Sequence, residues 1–205
     1  MATRILTLLL LCTYLTGCVT FATTAASETG YVTAQDRSLS DASSDARIRL
    51  LASNRLLQSS TRLFTQVDMT VIEGRVLLTG NVPHAADRVT AVELVWQVPG
   101  VRQVTNELKV HDGTGVGGYA KDSWIITKLR ARMILEKHVL SINYNIDCVN
   151  GTVYLMGIAQ DQDELNRVIH LARDISGVAD VVSYVRLKSD LPNPIIQPRN
   201  SAVKK

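Results

Sequence analysis

Six consecutive residues, Gly113-Thr114-Gly115-Val116-Gly117-Gly118, carry the Gly-x-Gly-x-x-Gly spacing that lets a backbone close on a pyrophosphate. That chemistry needs the glycines to open a helix directly. Here Tyr119 to Lys121 stand before Asp122, the expected helix cap, and no strand set of mononucleotide-binding size follows. The segment is therefore read as a joint. His84, His111, His138 and His170 have neither paired ligand spacing nor an accompanying Cys or carboxylate motif, so no metal is expected. A Gly-x-Ser-x-Gly nucleophile turn is absent. Cys148 ends the alternation Tyr144, Ile146, Cys148, which marks a buried strand position and not a nucleophile. The sequon Asn150-Gly151-Thr152 is read as a hairpin turn. Neither catalysis nor a cofactor is expected.

A different kind of chemistry is offered around Trp124. At 100° per residue, Ile125, Ile126, Leu129 and Met133 gather on one side of a helix as a core stripe. Beside it fall Lys121, Trp124, Lys128, Ala131, Arg132 and Leu135, a flank mixing cations, an indole and aliphatic carbon. Such a flank suits a lipid headgroup layer, where Trp sits at the polar boundary and Lys and Arg stems reach phosphates. The competing placement puts Trp124 in a seam between domains.

The elements that hold this helix are set by an internal repeat. Glu73-Gly74-Arg75-Val76-Leu77-Leu78-Thr79-Gly80 returns as Asn150-Gly151-Thr152-Val153-Tyr154-Leu155-Met156-Gly157, and Pro99-Gly100-Val101 returns as Ser176-Gly177-Val178. Gly74 to Gly151 and Gly100 to Gly177 give the same offset, 77 positions, so the units have equal length. Under that offset Trp124 corresponds to Arg47, Lys128 to Leu51 and Lys121 to Ser44, so the lipid-suited flank belongs to the second unit alone.

Within each unit the periodicities change in one order. Asp45 to about Gln58 and Asp122 to about Leu135 are helical, with Asp or a neighbouring Ser as N-cap. Val67, Met69 and Val71, like Tyr144, Ile146 and Cys148, form a strand that turns at Glu73-Gly74 or Asn150-Gly151 into a returning strand ended by Gly80 or Gly157. A second helix, about Ala85 to Gln97 or Asp161 to Ile175, precedes Gly100-Val101 or Gly177-Val178 and a last strand. The expectation is an α+β protein of two α-β-β-α-β units, each with a three-stranded mixed sheet and both helices on one face.

The N-terminus bears on location. Arg4 precedes the apolar run Ile5 to Leu11, and Leu15-Thr16-Gly17-Cys18 follows, an arrangement that resembles a bacterial lipoprotein signal. The resemblance implies that Cys18 is acylated and begins the mature chain. It also favours the periplasmic face of the outer membrane, since Val19 is not the Asp that retains many such proteins at the inner membrane. Cleavage removes Arg4 and no acid, so the formal charge falls from +3 to +2, too balanced for a nucleic-acid binder. Residues 1–17 are then signal, 18–44 lipidated Cys and tether, 45–112 the first unit, 113–120 linker, 121–189 the second unit and 190–205 a Pro-containing tail.

The order of elements, the Gly-x-Val-x-Leu-x-Gly hairpin and the Gly-Val-x-x-Val exit resemble the BON domain in both units. A lipobox followed by two such domains, the second opening with Asp122-Ser123-Trp124-Ile125-Ile126-Thr127-Lys128, looks like the dual-BON outer-membrane lipoproteins. That resemblance implies binding of anionic phospholipid through the first helix of the second domain, in support of envelope integrity. The positions carrying it here would be Trp124, Lys128, Lys121, Arg132 and Leu135. The alternative is a protein-interaction adaptor that uses sheet faces or an edge strand to hold an outer-membrane assembly protein.

Overall fold

The computed structural model describes residues 39–111 and 116–191. The expected signal, Cys18, most of the tether, Gly113 to Gly115 of the joint and nearly all of the tail lie outside those residues.

In the first unit, α1 (Leu39–Ser59) is followed by a short α2 (Thr61–Gln66), the hairpin β1 (Val67–Ile72) and β2 (Arg75–Val82), α3 (Ala85–Trp96), and the strands β3 (Gln103–Asn106) and β4 (Lys109–Val110). The second unit has α4 (Val116–Leu135), β5 (Tyr144–Val149), β6 (Thr152–Ala159), α5 (Gln162–Arg173), β7 (Asp180–Ser183) and β8 (Arg186–Leu187). Only the first unit carries a helix as long as α2 between its first helix and hairpin; the second has a single 3₁₀ turn there, Ser141–Asn143.

Burial explains why the first helices form. Ile48, Ala52 and Leu56 of α1, and Ile125, Leu129 and Met133 of α4, recur every fourth residue and are almost fully buried against their sheets. Both helices begin earlier than the composition indicates, at Leu39 and Val116, so Gly117 and Gly118 are helical and not part of a loop. Asp45 and Asp122 therefore cap nothing. Each is buried inside its helix and turns its carboxylate onto the facing hairpin turn. Asp45 accepts from the Glu73 and Gly74 N–H groups at 2.8 and 2.9 Å, and Asp122 from Asn150 and Gly151 at 2.8 and 2.9 Å. Those turns hold two consecutive left-handed residues, with φ of 54° and 73° in the first and 54° and 78° in the second. The glycines meet the steric demand, and the carboxylate binds the N–H groups that such a turn points inward.

β1 runs antiparallel to β2, and β3 parallel to β2 from Arg75↔Gln103 to Leu78↔Asn106. The third strand comes in two pieces, because Leu108 turns into the core and pairing resumes at Asn81↔Lys109. The second unit repeats this with β5, β6, β7 and β8. Gly80 and Gly157 do not end the returning strands, which run on to Val82 and Ala159. They sit where the chain entering the hairpin crosses closely: a Cβ on Gly80 would lie 2.2 Å from the Gln66 carbonyl oxygen, and one on Gly157 2.2 Å from that of Asn143.

The helices of each unit cover one sheet face, and the other faces pack together. Ile72 and Leu77 meet Val149, Tyr154 and Met156 there, flanked by Val182 and Tyr184. This is why β2 and β6 are buried on both sides after their first residue. At the rim, Asn150 Nδ2 donates to Asn81 Oδ1 (2.8 Å), Arg75 Nη2 to the Tyr184 carbonyl (3.0 Å), and Arg186 pairs with Glu73 (2.9 Å). The Thr79 hydroxyl donates to Asp147, and the Tyr184 hydroxyl to Glu107. Glu107 and Tyr184 occupy equivalent positions, 77 apart, and β2 touches β5 as β1 touches β6. The seam thus has the self-complementary form of a two-fold interface, made within one chain.

Candidate functional site

α4 presents its core stripe inward and a mixed surface outward. Trp124 is 47% exposed, and the Lys128 ammonium lies 4.7 Å from its ring centroid, a cation–π contact on the open face of the helix. Trp124 is not in the seam, which is filled by the strand side chains. Lys121 is exposed one turn earlier. Leu135 is 82% exposed at the helix end, with Ile134 beside it at 66%. Among the sequence-derived positions, Lys121, Trp124, Lys128 and Leu135 therefore share one exposed surface.

Arg132 departs from that expectation. It is half-buried, and its guanidinium donates to the Leu171 carbonyl (3.4 Å) near the C-terminal end of α5. The wheel puts it beside Lys128, but it is close enough to α5 to bind a carbonyl at the negative end of that helix. It acts within the domain.

Two apolar members were not singled out from the sequence. Ile134 is one, and its signal was the Ile134-Leu135 doublet, one residue more than a core stripe uses. Leu140 is the other, 47% exposed after a turn in which His138 has φ 68°. Its presentation is fixed by Glu164, which is buried and accepts from the Leu140 N–H (2.7 Å) and the Gln160 N–H (2.6 Å). Glu164 is in turn placed by Asp161, which caps α5 through the Glu164 N–H (2.7 Å). A basic, aromatic middle and an aliphatic end thus follow one another along α4.

Cys148 sits beneath this helix, with its thiol donating to Asp122 at 3.3 Å. Burial, reinforced by the Asp122 carboxylate, pushes the thiol pKa up to about 12. At pH 8 the thiolate fraction is then roughly one part in ten thousand, so the thiol is a packing group. In the chain from Val19 onward, maleimide labelling at pH 8 should be roughly a thousandfold slower in the native state than in urea. Equal rates would mean that the second core is open.

Among the described residues, no three His, Cys, Asp or Glu side chains gather as a metal site requires. None of the described helices is long and apolar enough to cross a membrane.

Comparison with known proteins identifies the repeated unit. The BON domain family matches residues 44–112 and again residues 121–189. An uncharacterised protein in the gshII 5′ region of Anaplasma centrale is 43% identical over 145 residues, covering 70% of this chain and 95% of that one. Outer membrane lipoprotein DolP of Haemophilus influenzae is 33% identical over 121 residues, or 59% of this chain and 62% of its own length. Osmotically-inducible protein Y of Escherichia coli is 28% identical over 131 residues, 63% of either chain. The match thus spans less than two thirds of the length of these last two.

Proposed function

The chain belongs to the BON domain family, with two copies in one polypeptide, and from that premise we propose that it is a non-enzymatic outer-membrane lipoprotein whose second domain binds anionic phospholipid. In this reading residues 1–17 are removed, Cys18 is acylated at the periplasmic face of the outer membrane, the following residues act as a tether, and the protein supports envelope integrity. The name of the Haemophilus relative and the lipobox ending in Cys18 support the anchoring. The observation that carries the lipid contact is the exposed Trp124 with Lys128 against its ring, continued by Ile134 and Leu135.

Magnitudes describe how the contact works. Lys121 and Lys128 contribute about 1 kcal/mol each on an anionic surface. Arg132, turned to α5, adds little. Inserting Trp124, Ile134 and Leu135 gives roughly 1.5 to 3 kcal/mol for each side chain fully withdrawn from water. Trp124 and Ile134 are already partly covered in the fold, so insertion yields only part of that, and the two lysines decide between an anionic and a neutral surface. Added salt should weaken the binding without abolishing it. The acyl anchor makes the contact effectively intramolecular, so a modest affinity suffices to hold the domain on the surface.

The adaptor reading loses one of its two surfaces, since the sheet faces are buried against each other and only an edge strand is left to it. Fluorescence tests the lipid contact. With Trp96→Phe, Trp124 is the remaining indole, and its emission should shift to the blue on adding anionic vesicles but not neutral ones. Unchanged emission would count against insertion of α4.

A further inference from the structure

A cleft of about 330 Å³ opens in the first domain between the start of α1, the β1–β2 turn and the Pro99-Gly100 turn. Ile48, Pro99 and Gly100 form an apolar part of its lining, and Arg47 and Arg102 are its cations. Gly100 has φ +97° and approaches the Ile48 side chain so closely that a Cβ would lie 3.2 Å from it. The Arg102 stem passes over Gly74, with Cγ 3.2 Å from where a Cβ would stand, and its N–H bonds the Gly74 carbonyl (2.8 Å).

The second domain shows how the same groove looks when filled. Gly177, the equivalent of Gly100, has φ +94°, and Lys121 Cε lies 2.8 Å from where its Cβ would be. The Lys121 stem thus occupies the second groove. Its counterpart in the first domain is Ser44, too short to reach across, and the positions of Trp124 and Ala179 are taken by Arg47 and Arg102. The first domain has the groove without the plug, and with two added cations.

Charge pairing indicates what the cleft takes. Asp45 is held by two turn N–H groups and Glu73 by Arg186, and Asp41 is itself engaged. Arg47 and Arg102 have no ion-pair partner among the described residues. We propose that this cleft is a second binding site, for a phosphodiester anion, with Arg47 and Arg102 on the phosphate and the ester carbon against Ile48 and Pro99. Guanidinium groups match phosphate oxygens. The nearby Asp41 makes a diester, with one charge, a better occupant than a doubly charged monoester. The site is separate from α4 and does not rest on the lipid reading of that helix.

Isothermal titration of the full chain carrying Cys18→Ser with glycerophosphoglycerol tests the proposal. Saturable binding is expected, with Kd raised at least about tenfold in Arg47→Ala/Arg102→Ala and binding lost in Ser44→Lys, which copies the plug of the second domain. These positions are exposed at the surface, so the fold should be unaffected. A vesicle arm, phosphatidylcholine with phosphatidylglycerol, uses Trp124→Ala/Lys128→Glu throughout so that α4 does not report. Arginine-dependent vesicle binding there identifies a lipid headgroup as the source of the diester. Binding of the soluble diester alone identifies a free one. No binding in either arm, or binding unchanged by both cleft variants, overturns the site.

Discussion

Gly157→Ala should unfold the second domain at temperatures where the first remains intact. The added methyl would stand 2.2 Å from the Asn143 carbonyl oxygen and 3.1 Å from the Tyr144 Cα, and all of these neighbours are backbone. No rotamer can relieve that overlap, so β6 and the chain entering β5 must separate where Tyr144 pairs with Gly157. The cost is on the order of 3 kcal/mol or more, enough to lower a small domain's melting temperature by over about 10 °C. Gly177→Ala is the matched control. It meets the same kind of φ penalty as any residue at +94°, but its close neighbour is the movable Lys121 stem. It should cost about 1 to 2 kcal/mol, from the φ alone. Each domain carries one Trp, Trp96 and Trp124, so single-Trp variants report the two melts separately. Equal effects of the two substitutions would mean that the hairpin crossing is looser than the structure has it.

Asp122→Ala has the second large effect. Its carboxylate accepts from two N–H groups of a left-handed turn, at 2.8 and 2.9 Å, and from the Cys148 thiol. Removing it strands buried donors at a place water reaches poorly. Hydrogen bonds to a charged acceptor contribute about 1.5 to 3 kcal/mol each, so the loss should be roughly 3 kcal/mol after relaxation. Asp122→Asn keeps one acceptor oxygen and turns an NH₂ toward a donor, so it should recover less than half. Urea titration followed at Trp124 reads both. An alanine variant within 1 kcal/mol of wild type, a margin of about fivefold in the folding constant, would remove Asp122 from the turn. Asp45→Ala should act alike in the first domain, through Glu73 and Gly74.

These two residues mark where the sequence stops being readable. Helices, hairpins and turns announce themselves locally: Ile125, Leu129 and Met133 by spacing, Asn150-Gly151 by the φ values such a turn demands. Local rules make Asp122 a cap, whereas its partners lie 28 and 29 residues away. Gly157 looks locally like a strand end, because Asn143 becomes its neighbour only when the hairpin closes. The seam does leave a local signal. Val76-Leu77-Leu78 and Val153-Tyr154-Leu155-Met156 are apolar at consecutive positions, which a strand buried on one face does not need. The helical wheel alone puts Trp124, Lys128 and Leu135 on the exposed face of α4, because their direction depends only on the helix. The turn of Arg132 toward a carbonyl of α5 is not a local property of the helix, so the wheel does not carry it.

Whether α4 binds lipid is decided by co-sedimentation of the chain from Val19 onward with neutral or anionic phospholipid vesicles, at low and moderate salt, beside Trp124→Ala. Wild type should pellet with anionic vesicles only, less so in salt, and Trp124→Ala should stay largely in the supernatant. Wild type that fails to pellet with either vesicle, or a Trp124→Ala variant that pellets as well as wild type, would contradict lipid binding by α4.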